Sequence, residues 1–130
     1  MRTPADHPTA RVLAVDDCAV TREIVRASLE SMGYSVQAVD SGWAALEATG
    51  CASFDAIVLD VEMPGLDGMA LGRALRSDPK TASALIAVHS SVDEESVRAG
   101  FSQYDAFVPK AGSLHALAER LDRLIRSRRR

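Results

Sequence analysis

The chain has 130 residues, of which 47% are hydrophobic and 25% are charged, and its formal net charge at neutral pH is −3. These values are typical of one globular domain and exclude wholesale disorder, and the small negative charge gives no general attraction to nucleic acid or anionic membranes. No apolar run in the sequence approaches the roughly 20 residues that a membrane-spanning helix requires.

Short apolar segments alternate with amphipathic segments along the chain. Mainly apolar segments predict strands over 11–15, 34–39, 54–59, 85–89 and 105–108. Apolar residues that recur every three to four positions predict helices over 19–32, 42–49, 66–76, 93–99 and from Leu114 onward. Five strands alternating with five helices predict an α/β fold, a (βα)5 flavodoxin-like doubly wound sandwich with a five-stranded parallel sheet.

Three carboxylates stand where predicted strands end. Asp16 and Asp17 follow the first strand, and Asp60 follows the third. Ligands of open α/β sheets bind outside the carboxyl ends of the strands, so these side chains are expected to converge there. Converging carboxylates repel one another, and a hard divalent cation such as Mg²⁺, which prefers oxygen ligands, resolves the conflict. The alternative is that Asp16 and Asp17 only cap the helix that follows.

A hydroxyl and an ammonium group are expected at the same edge of the sheet. Ser90 follows the fourth predicted strand, and Lys110 follows the fifth. A metal, a nucleophilic carboxylate, a hydroxyl donor and a cation are the groups that phosphoryl transfer to an acid requires. The product of such a transfer is an acyl phosphate.

These residues resemble a known family. The pair Asp16-Asp17, the string Val-Leu-Asp-Val-Glu-Met-Pro-Gly-Leu-Asp-Gly over 58–68, Ser90 and Lys110 resemble the receiver domain of bacterial two-component response regulators. The resemblance covers about residues 10–127. His-Ser-Ser over 89–91 and Phe-Val-Pro-Lys over 107–110 are more specifically similar to chemotaxis-associated receivers.

The resemblance implies a phosphorylation site with a metal cofactor. It implies that Asp60 accepts a phosphoryl group from a histidine kinase or a histidine phosphotransfer protein. It further implies that Mg²⁺ is bound directly by Asp17, Asp60 and the backbone carbonyl of Glu62, and by Asp16 largely through a water molecule.

The resemblance also implies a conformational switch. Lys110 is expected to pair with Asp60 at rest and with the phosphoryl group afterwards, while Ser90 moves toward a phosphoryl oxygen and Phe107 changes rotamer. The surface formed by the fourth helix, the fifth strand and the fifth helix is then expected to change its affinity for a downstream target protein. By this interpretation the chain is a phosphoacceptor that assists its own phosphotransfer and dephosphorylation, and not an enzyme in the ordinary sense.

The sequence departs from the family pattern next to the lysine. Receivers usually carry Lys-Pro after the fifth strand with a cis peptide bond, whereas here Pro109 precedes Lys110. The loop is therefore expected to be trans and more mobile, with a less certain reach of Lys110 to Asp60. Two other residues receive structural interpretations: His89 is expected to be a structural strand-end histidine, and Trp43 is expected to be half-buried.

Other functions remain open on the sequence alone. A Mg²⁺-dependent phosphatase with an aspartyl nucleophile is one, although such enzymes place a second Asp two residues after the nucleophile, where this chain has Glu62. A receiver-like adaptor that is never phosphorylated is another, and the displaced proline keeps it open. A flavodoxin-like electron carrier fits the fold, but the sequence lacks a Ser/Thr/Gly-rich phosphate loop after the first strand.

The remaining expectations concern boundaries, location and partners. Residues 1–9 are predicted to form a flexible segment, 10–127 the receiver domain, and 128–130 a basic tail. Two cysteines without CxxC spacing and the absence of a signal-peptide pattern predict a cytoplasmic protein. The expected state is a monomer or a weak dimer through the fourth and fifth helices, with no direct binding to DNA or membrane.

Overall fold

The computed structural model describes residues 10–63, 65 and 67–128. Its strands are β1 (Arg11–Val15), β2 (Ser35–Val39), β3 (Ala56–Leu59), β4 (Leu85–Ser90) and β5 (Ala106–Pro109). Its helices are α1 (Ala19–Ser31), α2 (Gly42–Cys51), α3 (Gly68–Ser77), α4 (Glu94–Gly100) and α5 (Leu114–Arg128). The alternation of strands and helices predicted from the sequence is confirmed.

All five strands lie parallel in one sheet, in the order β2-β1-β3-β4-β5. The order reverses between β1 and β3, which places the topological switch point of the sheet beside the ends of these two strands. The predicted doubly wound fold is therefore confirmed, and the carboxyl ends of the strands meet at one edge.

Apolar side chains pack on both faces of the sheet. One core layer joins the sheet to α1 and α5 through residues such as Leu29, Leu121 and Ile125. The other layer joins the opposite face to α2, α3 and α4 through residues such as Leu71 and Val97. Burial on both faces explains why β3 and β4 are almost wholly apolar in sequence. Within the described residues, no helix is both long enough and apolar enough to cross a membrane.

Local capping sets the helix boundaries. The Asp67 side chain accepts a hydrogen bond from the backbone N–H of Ala70 at 2.8 Å, so α3 begins at Gly68, two residues later than its predicted start. Asp93 caps α4 in the same way through the N–H of Ser96.

The expectation that Trp43 is half-buried is wrong, because 65% of this residue is exposed. The buried face of α2 consists of Gly42, Ala45, Ala48 and Thr49, which recur at helical spacing. Trp43 lies one position away from the first of these residues, so the helix directs its indole away from the sheet.

The two ends of the chain are described only in part. The predicted flexible segment over 1–9 lies outside the described residues, as do residues 129 and 130 of the predicted basic tail. Arg128 is the last residue of α5, and its guanidinium donates a hydrogen bond to the carbonyl of Ser83. The domain boundaries stay predictions.

Candidate functional site

The sheet register brings the predicted carboxylates together. Val15 pairs with Leu59, and Leu59 pairs with Val88, so the residues that follow them, Asp16, Asp60 and His89, lie in one row across the sheet. Asp16 and Asp60 are buried, with 5% and 1% of each residue exposed, whereas Asp17 is exposed.

The two carboxylate oxygens of Asp60 have different environments. Oδ1 accepts a hydrogen bond from the backbone N–H of Glu62 at 3.0 Å. Oδ2 lies 3.2 Å from Nζ of Lys110 and is buried, but no hydrogen bond of good geometry reaches it among the described residues. Burial raises the pKa of Asp60 to about 6, because it outweighs the stabilisation of the ionised form by the Glu62 N–H and Lys110.

Lys110 reaches the site although Pro109 precedes it. Its Nζ lies 3.1 Å from Oδ2 of Asp16 and 3.2 Å from Oδ2 of Asp60. Burial opposes the charged form of Lys110, but bonds and charges from Asp16 and Asp60 prevail and raise its pKa. The described residues contain no cis peptide bond, as expected, and Lys110 makes the contact with Asp60 that the displaced proline left uncertain. The backbone N–H of Lys110 donates to the carbonyl of Ser90 at 2.8 Å, which holds the lysine beside β4. The greater mobility of the loop stays a prediction.

The loop after β1 is held by a hydrogen bond from Arg22 that was not predicted from the sequence. The guanidinium of Arg22, in α1, donates to the backbone carbonyl of Asp16 at 2.8 Å. Oδ1 of Asp16 accepts the backbone N–H of Cys18 at 2.9 Å. The position of Arg22 one helical turn after Cys18 is the sequence signal, but arginines at such positions are common on exposed helix faces.

The loops after β3 and β4 are joined across the mouth of the site. Ser90 is buried at the end of β4, and its hydroxyl accepts the backbone N–H of Val92 at 2.9 Å. The hydroxyl of Ser91 donates to the side-chain carboxylate of Glu62. Ser90 lies at the end of β4, at the edge of the sheet where the sequence placed it, and its role stays a prediction. The link between Glu62 and Ser91 was not predicted.

His89 is buried beside these groups, with 2% of the residue exposed. Neither of its ring nitrogens has a hydrogen-bond partner in the described part of the chain. Burial, followed by the charge of Lys110, lowers the pKa of His89 to about 4, so the imidazole is neutral at pH 7.

The arrangement of two buried aspartates, an adjacent exposed aspartate and a paired lysine agrees with the family comparison. The response regulator receiver domain family matches residues 12–122. This chain belongs to that family. It is a receiver domain of the two-component type, a phosphoacceptor signalling domain that acts as a phosphorylation-activated switch.

Relatives of known name or structure support the same assignment. Response regulator MprA of Mycobacterium leprae is 39% identical over 116 residues, which is 89% of this chain and 51% of that protein. The chain thus spans about half the length of this relative. The chemotaxis protein CheY4 of Vibrio cholerae is 29% identical with a TM-score of 0.81, over 88% of this chain and 98% of CheY4.

A magnesium-bound relative is also similar in structure. The receiver domain of sensor histidine kinase PA1611 from Pseudomonas aeruginosa is 26% identical with a TM-score of 0.80, over 90% of this chain and 98% of that domain. That domain holds a magnesium ion in its active-site cleft.

The carboxylates of this receiver form a donor set suited to a hard divalent cation. Asp16, Asp17 and Asp60 each offer an oxygen, and the three oxygens lie within 4.8 Å of one another. Lys110 pairs with Asp16 and Asp60, and the guanidinium of Arg22 binds the backbone carbonyl of Asp16, so two cations face three carboxylates and negative charge remains in excess. Hard oxygen ligands and excess negative charge fit Mg²⁺, and Oδ2 of Asp60 has electron pairs that no hydrogen bond uses.

Proposed function

We propose that Asp60 is the phosphoacceptor of this receiver and that its phosphoryl group comes from a phosphohistidine of a histidine kinase or a phosphotransfer protein. The observation that carries the proposal is the buried carboxylate of Asp60, which lies between an acidic pair and the ammonium group of Lys110. With a pKa of about 6, this carboxylate is ionised at pH 7 and is therefore available as a nucleophile.

Attack through Oδ2 of Asp60 is proposed. Oδ1 accepts a hydrogen bond from the Glu62 N–H, whereas Oδ2 lies 3.2 Å from the ammonium group of Lys110 and accepts no hydrogen bond among the described residues. Oδ2 forms the new bond to phosphorus, the bond from phosphorus to the donor imidazole nitrogen breaks, and that nitrogen keeps the electron pair. The product is an acyl phosphate on Asp60.

Asp16, Asp17, Asp60 and the backbone carbonyl of Glu62 are the groups proposed to hold Mg²⁺. The bound ion supplies neutralisation of the charge on the phosphoryl oxygens. Arg22 serves this set as a positioning residue, since it fixes the carbonyl of Asp16 and thereby the loop that presents both aspartates.

Ser90 and Lys110 are proposed to couple phosphorylation of Asp60 to a conformational change at the surface next to β5. Lys110 already lies within 3.2 Å of Asp60 and needs only a small shift to pair with a phosphoryl oxygen. The Ser90 hydroxyl accepts the Val92 N–H and would donate its own hydrogen to a phosphoryl oxygen, so it must reorient toward the phosphoryl group. Both residues border β5, so their movement alters the surface formed by α4, β5 and α5, on which a target protein is proposed to bind.

Intact mass measurement tests the proposal. Incubation with acetyl phosphate and Mg²⁺ is expected to add one phosphoryl group, about 80 Da, to the wild type and none to Asp60→Asn. Asp67→Asn is the matched control, because it lies in the same loop and asparagine keeps the helix cap. EDTA is expected to abolish the adduct.

Three results would contradict the proposal. An adduct that persists in Asp60→Asn would place the phosphoryl group elsewhere. The absence of any adduct on the wild type would favour an adaptor that is not phosphorylated. Continuous release of phosphate from small phosphate esters would favour the phosphatase.

A further inference from the structure

A pocket of about 190 Å³ lies between α3 and the end of α4. Arg73 of α3 and Arg98 of α4 line it, together with residues 99–103. None of its described lining residues belongs to the acidic cluster, to β5 or to α5, so the pocket is separate from the proposed phosphorylation site. It is smaller than the roughly 300 to 1,000 Å³ of pockets that hold drug-sized ligands, and its size suits a single small group.

The pocket is positively charged. Arg73 and Arg98 are the charged side chains among its described lining residues. Neither guanidinium forms an ion pair with a carboxylate in the described part of the chain, whereas those of Arg26, Arg76 and Arg126 each do. The pocket therefore carries two positive charges that no ion pair neutralises.

The carbonyl groups at the end of α4, which would repel an anion, are already bonded. The guanidinium of Arg73 donates a hydrogen bond to the carbonyl of Gly100, and the carbonyl of Val97 accepts the backbone N–H of Phe101 at 2.7 Å. The two helices also pack closely, since a Cβ atom added to Gly72 of α3 would lie 2.7 Å from the Phe101 ring. Arg73 is therefore held beside the pocket, and its other N–H donors remain available.

Uncharged donors lie in the same loop after α4. The backbone N–H groups of Ser102 and Gln103 donate no hydrogen bond to any other described residue. The hydroxyl of Ser102 and the side-chain amide of Gln103 are likewise unbonded within the described ranges, and both residues are exposed. The pocket therefore combines two guanidinium groups with a hydroxyl, an amide and two backbone N–H groups, all of which can donate to an anion.

We propose that this pocket binds a phosphate group, either free phosphate or the phosphate of a small ester. A phosphate group carries about 1.5 to 2 negative charges near pH 7, which matches the two guanidinium groups of Arg73 and Arg98. Each guanidinium is a planar fork of N–H donors that can pair with two phosphate oxygens at once. A carboxylate has one charge and two oxygens, so it would leave part of this donor set unused.

An NMR titration of the ¹⁵N-labelled protein tests the site. Potassium phosphate replaces potassium chloride at constant ionic strength in the presence of EDTA, so that neither charge screening nor a bound metal changes during the titration. The amide signals of residues 98–103 are expected to shift and to saturate, whereas those of Asp16, Asp17 and Asp60 are expected to stay in place. Malonate, a dicarboxylate, is expected to bind several-fold more weakly than phosphate.

Charge-removing variants locate the contact. Arg73→Gln and Arg98→Gln change exposed residues, and glutamine at position 73 can still donate to the carbonyl of Gly100, so both are expected to fold normally. Each is expected to lose about tenfold in affinity for phosphate. Arg98→Lys is expected to lose less, because it keeps the charge without the planar fork. Arg120→Gln, at an exposed position of α5 outside the pocket, is the control and is expected to bind like the wild type.

The outcomes are independent of phosphorylation at Asp60, because the titration contains no Mg²⁺ and no phosphoryl donor. Signals that do not respond to phosphate, or affinity that is unchanged in both glutamine variants, would overturn the site. Malonate binding as tight as that of phosphate would overturn the preference for phosphate. Adenosine monophosphate separates the two sources of the group, and either result supports the proposal: tighter binding than phosphate would assign the pocket to an ester, and equal or weaker binding would assign it to free phosphate.

Discussion

Burial raises the pKa of the Asp60 carboxyl group, whereas the Glu62 N–H and the charge of Lys110 lower it. The net upward shift reduces the stability of the folded protein at neutral pH. The pKa of Asp60 rises from 3.8 to about 6, so the folded protein is stabilised by protonation below pH 4 and loses that stability as pH rises through 6. A shift of this size corresponds to about 2 to 3 kcal/mol. The buried nucleophile is therefore kept ionised at neutral pH at the expense of stability.

Removing this charge is expected to stabilise the metal-free protein. At pH 8, Asp60→Asn is expected to raise the free energy of unfolding by about 2 kcal/mol, and the gain is expected to vanish near pH 4. Urea unfolding in EDTA at both pH values measures it. Asp40→Asn, at an exposed position, is the control. A less stable Asp60→Asn variant at pH 8 would contradict the raised pKa.

His89 is expected to act in the opposite direction. Its pKa is lowered from 6.5 to about 4, so its contribution to stability is complete above pH 6.5 and is lost as pH falls toward 4. The loss amounts to about 3 kcal/mol. In the Asp60→Asn background, adding His89→Leu is expected to remove the decline between pH 6.5 and 4. Adding the exposed control His115→Leu should leave it, and an unchanged decline in the His89 variant would contradict a buried neutral imidazole.

Part of the site could be predicted from the sequence. The ends of parallel strands converge at one edge of a sheet, which allowed five site residues to be predicted: Asp16, Asp17, Asp60, Ser90 and Lys110. The lack of hydrogen-bond partners for the His89 ring nitrogens among the described residues could not be predicted, because it depends on which side chains surround the ring. The reach of Lys110 was left uncertain, because the sequence shows Pro109 but not the hydrogen bond that the backbone N–H of Lys110 makes to Ser90.

At the scale of elements, the start of α3 lies in direct contact with the end of β3. A Cβ atom added to Gly68 would lie 2.1 Å from the carbonyl oxygen of Asp60 and 2.3 Å from Cα of Val61. Both neighbours are backbone atoms, so neither can turn aside. This glycine therefore lets the loop that presents Asp60 pack closely against the helix.

Two helical glycines give a matched test of that contact. Gly68→Ala is expected to reduce the free energy of unfolding by about 2 kcal/mol or more, because the loop must be displaced. Gly50→Ala, in α2, has nothing within 4 Å of the added atom and is expected to gain about 0.5 to 1 kcal/mol from helix propensity. Thermal or urea unfolding compares the two variants. Equal effects would contradict the close packing at Gly68.

The positions of the helices and strands could be predicted from the spacing of apolar residues, but the contacts between loops could not. The bond between Ser91 and Glu62 joins residues that are far apart in sequence, and both types are common at exposed positions. The exposure of Trp43 was also misjudged, because α2 has a buried face of small residues that carries almost no hydrophobic signal of its own.

At the scale of the whole molecule, metal binding couples to stability. A ligand that binds only the folded state stabilises it by mass action, and Mg²⁺ at ten times its dissociation constant contributes about 1.4 kcal/mol. Calorimetry is expected to show a rise in Tm with Mg²⁺ for the wild type and a much smaller rise for Asp17→Asn. The Asp40→Asn variant should respond like the wild type. Equal responses in all three would contradict the proposed ligand set.

The strand order of the sheet brings the ends of β1, β3 and β4 together around the carboxylate of Asp60. The most direct test of the account therefore locates the phosphoryl group itself. Protein treated with acetyl phosphate and Mg²⁺ is reduced with borohydride, which converts an acyl phosphate to an alcohol, and is then digested and sequenced by mass spectrometry. The account predicts the reduced residue at position 60 alone. Reduction at another aspartate, or phosphate found instead on Ser90 or Ser91, would contradict it.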